Sequence, residues 1–151
     1  MRRVQTLAFV LAGAVLVPVA VSAVTFDPKA HRDGAVTSAG ASLYDVHCAA
    51  CHGADLKGQP DWQIRDSNGY LPAPPHDATG HTWHHPTPQL FEITKYGTEQ
   101  VVGGNYKSNM AGFGEVLSDD EILAILAFIK STWPRQIIDH HDRIDAAYGG
   151  Q

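Results

Sequence analysis

Five residues, Cys48-Ala49-Ala50-Cys51-His52, carry the chemistry most readily read from this chain. Two thiols three positions apart stand on one helical turn, where each can add to a vinyl group of a haem. The histidine directly after the second thiol is then held against the iron. Cys48 and Cys51 are the only cysteines, which removes the second ligand pair that a structural zinc site needs. A thioredoxin-like redox pair requires a neighbouring βαβ pattern, and none is visible. A structural disulfide would give His52 no role. The spacing therefore points to one covalently attached c-type haem.

An electron-transfer haem also needs a ligand opposite the histidine. Beyond Met1 the chain has one methionine, Met110, between Asn109 and Ala111-Gly112-Phe113-Gly114. A core methionine belongs in an apolar-periodic segment, whereas this one lies in a turn-rich loop. The expected axial pair is His52 with Met110; the rivals are a loop histidine or an open site. A closed pair leaves no coordination position for substrate, so the protein would move single electrons and have no catalytic residues of its own. An open site would permit peroxide chemistry in a redox enzyme.

Histidine is concentrated at His76, His81, His84 and His85. One reading is an accessory copper or zinc site in a metal-handling protein, since imidazole suits both metals. The other is a loop that caps a haem crevice, with the indole N–H of Trp83 donating to a propionate. With no spare cysteine and no regular helical spacing among the histidines, the second reading is preferred. His140-His141 is expected to face solvent.

These residues need elements to position them. Arg2 and Arg3, the apolar run Leu7–Val21 and the small-residue site Val21-Ser22-Ala23 read as an export signal over residues 1–23, or as an uncleaved anchor. Residues 24–37 read as a linker or an extended arm. A helix is expected from about Ser38, with Gly40, Leu43, Tyr44 and His47 on one face, ending at Gly53 after the motif. Gly40 in mid-helix implies close approach of another backbone. The stretch Ala54–Pro86 is too long for an ordinary loop in a compact domain unless it wraps a ligand.

Thr87 as N-cap with Pro88 in the first turn opens a short helix that stops at Gly97. Residues 98–117 read as loop. Ser118-Asp119-Asp120-Glu121 is a capping box, and Ile122, Ile125, Leu126, Phe128, Ile129 and Trp133 then recur at helical spacing until Pro134. A last amphipathic segment, Gln136–Tyr148, lies in a C-terminal extension, 135–151. The expectation is an all-α domain over 38–134, with three to five helices and long loops.

Eleven Lys and Arg stand against sixteen Asp and Glu, a net charge of −5. Residues 1–23 hold two of the arginines and no acid, so the remainder carries −7. Such a charge argues against nucleic acid or an anionic membrane surface and favours a partner with a basic face.

On these residues the chain resembles the class I c-type cytochromes, specifically the bacterial exported single-haem kind. The resemblance rests on Gly40 to Tyr44 before Cys48-x-x-Cys51-His52-Gly53, the Pro-rich loop, Asn109-Met110, and Leu117-Ser118-Asp119-Asp120-Glu121-Ile122 through Trp133. It implies a cytochrome c-like fold whose first and last helices cross near Gly40, with Tyr44 against Phe128. It implies Met110 as distal ligand and a carbonyl within Leu71–Pro75 accepting from His52. Trp83, Tyr44 and Pro72 are expected around haem c. The implied partners are a redox donor and acceptor, namely a membrane complex, dehydrogenase or terminal oxidase, met in the periplasm or at its membrane face through an uncleaved N-terminus. Ala111 stands where the family often has proline.

Overall fold

The computed structural model describes residues 24–150; the expected export segment lies outside them. Six α-helices are present among these residues: α1 (Gly34–His47), α2 (Ala49–His52), α3 (Thr87–Tyr96), α4 (Thr98–Val102), α5 (Asp119–Ser131) and α6 (Arg135–Tyr148). Two of the six are single turns, so the count exceeds the expected three to five without changing the all-α class. No strand occurs among the described residues; there is one isolated bridge, Gly97 to Ala111.

The helix α1 starts four residues earlier than expected. Asp33 accepts from the N–H groups of Ala35 and Val36 at 2.8 and 3.2 Å, an N-cap that outweighs the turn tendency of Asp33-Gly34. Residues 24–33 run as an arm packed on the helices. Phe26 packs edge-on to Phe91 at 5.6 Å, and a 3-10 turn, Ala30–Arg32, buries His31 against α5.

The central packing is α1 across α5. A methyl group on Gly40 would collide with the carbonyl of Ala124, so only glycine lets the two backbones meet. Tyr44 and Phe128 flank that crossing, with ring centroids 5.5 Å apart. Helix α5 opens with the expected box: Ser118 Oγ accepts from Glu121 N–H, and Glu121 Oε2 accepts from Ser118 N–H. Its apolar face sends Ile122, Ile125 and Ile129 into a core shared with Tyr44, Phe91, Leu117 and Trp133.

Three expectations are corrected at the C-terminal side. Residues 98–102 form α4, a single turn between Gly97 and Gly103, both at positive φ. Thr87 is not an N-cap; Pro86 takes that position, and the N–H and Oγ of Thr87 donate to Asp145 of α6 at 2.6 and 2.8 Å. His141 does not face solvent. It is 1% exposed, its Nε2–H donating to the His85 carbonyl at 3.0 Å. Beside it Lys130, also buried, pairs with Asp142 at 2.6 Å and Asp145 at 3.5 Å.

Two outcomes follow from this packing. Gly40→Ala forces α1 and α5 apart, and guanidinium denaturation of the holoprotein should show a loss of about 1–3 kcal/mol. His31 has the partners of a neutral ring. Its Nδ1–H donates to Pro28 O at 3.0 Å, while Nε2 accepts from Arg32 Nε at 3.3 Å. Burial, aided by the Lys130 charge, lowers its pKa below 6.5. The unfolded chain then binds the extra proton first, so this stability is present above pH 6.5 and lost as pH falls beneath it. His31→Gln should flatten the decline in denaturation free energy between pH 7 and 5, by at most about 1.4 kcal/mol per pH unit.

Candidate haem-attachment site

The motif sits where α1 stops. Cys48 breaks the helix, and α2 adds one turn in which the N–H groups of Cys51 and His52 both donate to the Cys48 carbonyl. That turn gathers both sulfurs and the imidazole into one short stretch. Gly53, at φ +78°, closes it as C-cap, and its carbonyl accepts from the Tyr44 hydroxyl at 3.0 Å. Tyr44, 2% exposed, therefore braces the motif's backbone from inside the core.

Both thiols are free, Cys48 partly buried and Cys51 exposed. Burial, with a smaller contribution from Cys51, pushes the Cys48 thiol up to about 11.

His52 is buried, and its Nδ1–H donates to the carbonyl of Pro74 at 2.9 Å. That bond fixes the tautomer and leaves Nε2 as the nitrogen with a lone pair to offer. The accepting carbonyl lies within Leu71–Pro75, as the resemblance implies. Pro72 is partly buried two residues before it.

Apart from the 3-10 turn Thr82–His84, the long loop is held by isolated hydrogen bonds. Gly58 N–H donates to His52 O at 2.8 Å, Gln59 N–H to Ala73 O at 2.8 Å, and His76 N–H to Leu56 O at 2.7 Å. The indole N–H of Trp133 donates to the His76 carbonyl at 2.7 Å. Gly58 and Gly80 pass so close to Ala73–Pro75 that neither position has room for a side chain.

Met110 is partly buried in a loop laid along the end of α3. Its N–H donates to Ser108 Oγ at 3.1 Å, and its carbonyl accepts from Thr98 N–H at 3.3 Å. Phe113 and Gly114 continue the clamp through Thr94 O and Lys95 O. Trp83 stacks on His84, with centroids 3.7 Å apart, and its buried indole N–H has no acceptor among the described residues.

The remaining histidines do not converge. His81 lies on the Trp62 ring at 5.2 Å and meets His85 edge-on at 5.3 Å, while His84 and His140 pack around Trp83. Among the described residues no three His, Cys, Asp or Glu side chains are grouped to hold a metal ion. Sequence reasoning assigned His76 only to this cluster. In the fold it stacks on His52, with ring centroids 4.0 Å apart and planes at 26°.

The cytochrome c family profile matches residues 37–133, and the chain belongs to that family. It is similar to the Cbb3-type cytochrome c oxidase subunit FixP of Sinorhizobium medicae (strain WSM419), at 24% identity over 95 residues. That match covers 62% of this chain and 29% of the relative, so the chain spans less than a third of that protein's length. No solved structure matches. The family binds haem c, the spacing of Cys48, Cys51 and His52 suits it, and the domain is one of haem-based electron transfer. A Cys48→Ala/Cys51→Ala double variant should lose all haem to acid–acetone extraction, whereas wild type keeps it through denaturing electrophoresis and haem staining.

Proposed function

We propose that this cytochrome c family member is a single-electron carrier with one haem, thioether-bound through Cys48 and Cys51 and ligated by His52 and Met110. The observation that carries the reading is the hydrogen bond from His52 Nδ1–H to Pro74 O. It supplies a neutral imidazole of one tautomer, oriented from the backbone and presenting Nε2. A haem bound there supplies reversible one-electron chemistry.

The chain's own residues bind, orient and exclude water. Tyr44 and Gly53 hold the α2 turn, the Leu71–Pro75 strap aims His52, and the clamp on α3 fixes the backbone of Met110. Trp83 offers a buried N–H suited to a carboxylate acceptor such as a haem propionate. Ligation of the iron by both His52 and Met110 would leave no position for a substrate, which favours a carrier over an enzyme.

The carrier would work outside the cytoplasm, in the periplasm or at its membrane face, given the export-type segment at residues 1–23. Among the described residues no helix is long and apolar enough to cross a membrane. Its donor and acceptor would be redox proteins, such as a membrane complex, a dehydrogenase or a terminal oxidase, met through small transient contacts. A second reading, a haem-bearing subunit within a redox complex, is favoured by the similarity to an oxidase subunit.

Met110→Ala decides the ligation. The ferric wild type should show the weak methionine–iron charge-transfer band at the red end of its spectrum, and the variant should lose it and bind added imidazole or cyanide faster. A wild type without the band, or a variant that keeps it, excludes Met110.

A further inference from the structure

The stack of His76 on His52 has no part in the attachment chemistry, yet His76 is tied down more thoroughly than most residues of the loop. Its N–H donates to Leu56 O at 2.7 Å and its carbonyl accepts from Trp133 Nε1 at 2.7 Å. Its ring Nδ1 meets Thr82 Oγ1 at 2.8 Å. That hydroxyl, buried, points on to Pro75 O at 3.4 Å. The directions are consistent: Nδ1–H donates to the hydroxyl, and the hydroxyl donates to the carbonyl. The buried Tyr44 ring also packs against it, with centroids 6.1 Å apart and planes at 74°.

The two imidazoles are thus hung from consecutive carbonyls of one strap. His52 takes Pro74 O directly, and His76 takes Pro75 O through Thr82. Hanging from adjacent points, they lie nearly parallel, 4.0 Å apart. A single hydrogen bond fixes where Nδ1 points but leaves the ring free to swing about the bond's axis. A flat partner against its face removes that freedom.

We propose that His76 is a positioning residue that sets the plane of the His52 imidazole, and through it the ligand field and reduction potential of the bound haem. The inference rests on the reading of His52 as axial ligand. It follows the general behaviour of metal-ligating histidines, whose orientation and basicity are set by what their other atoms touch.

Low-temperature electron paramagnetic resonance and redox titration of the purified ferric holoprotein test it. His76→Leu keeps the bulk and loses the flat face; His76→Phe keeps a flat face; Thr82→Val keeps His76 but removes the hydroxyl that holds it. At wild-type haem content, His76→Leu should shift or broaden the low-spin g values and move the midpoint potential. Thr82→Val should do the same to a smaller degree, and His76→Phe should stay nearer wild type.

Wild-type g values and potential in His76→Leu overturn the proposal, as does an equal disturbance by His76→Phe. Where His76→Leu yields no folded holoprotein, an unchanged Thr82→Val overturns it. Failure of the ligation reading looks different. The wild type would then lack low-spin signals, or His52→Ala would retain them.

Discussion

The contact on which the site depends is the meeting of two backbones, Gly40 of α1 against the Ala124 carbonyl of α5. Everything functional at the motif hangs from the C-terminal end of α1, so the angle and depth of that crossing decide where the cysteines lie. Tyr44, one turn beyond Gly40, converts the crossing into local geometry. Its ring packs against Phe128 and His76, with centroids 5.5 and 6.1 Å away, and its hydroxyl donates to the Gly53 carbonyl after the motif. The helix pair carries the hydrophobic stabilisation, and one phenol passes its position to the Cys-x-x-Cys-His turn.

The second constraint is that, apart from the 3-10 turn Thr82–His84, no helix or sheet holds residues 54–86. The Nδ1–H of His52 is met by a loop carbonyl, and loops fix atoms only where hydrogen bonds and steric contact accumulate. They accumulate here around Leu56, Ala73 and Pro74–His76, with Gly58 and Gly80 pressed against the strap from two sides. Prolines at 74 and 75 remove backbone freedom and donors together, so their carbonyls are left to serve side chains. The Pro74 carbonyl accepts from the His52 ring, and the Pro75 carbonyl faces the Thr82 hydroxyl that meets the His76 ring.

Local rules recover the parts of this architecture that are local. The Ser118–Glu121 box, the glycine at 40, the stop at Gly53 and the Pro134 break are each written within a few residues, and each appears where expected. The start of α1 escaped because Asp33-Gly34 suits a turn as well as a cap. The helix α4 escaped because a single turn between two glycines has no periodicity to read. Thr87 was assigned to its own helix because its true partner, Asp145, lies 58 positions away. His76 and His141 escaped for the same reason: their carbonyl contacts, to Trp133 and from His85, span 57 and 56 positions. A histidine's sequence neighbours say nothing about which ring will lie against it.

Helix α6 lies beyond the residues matched by the family profile, yet it is not an appendage. Its inner face carries His141, Asp142 and Asp145 against Lys130, a buried lysine paired with two partly buried carboxylates, which is a poor source of net stability because desolvation of the lysine offsets much of the attraction. Removing one partner is another matter, since it strands a charge. Such a cluster defines one docking position and penalises all others. The position it selects places His141 on the His85 carbonyl and Asp145 on Thr87, at either side of Pro86. That corner follows the 3-10 turn Thr82–His84, whose first residue holds the His76 ring. Trp133, at the junction of α5 and α6, holds the His76 backbone. Helix α6 thereby fixes the turn that supports the stacked imidazoles, and a segment outside the conventional domain becomes part of what orients His52.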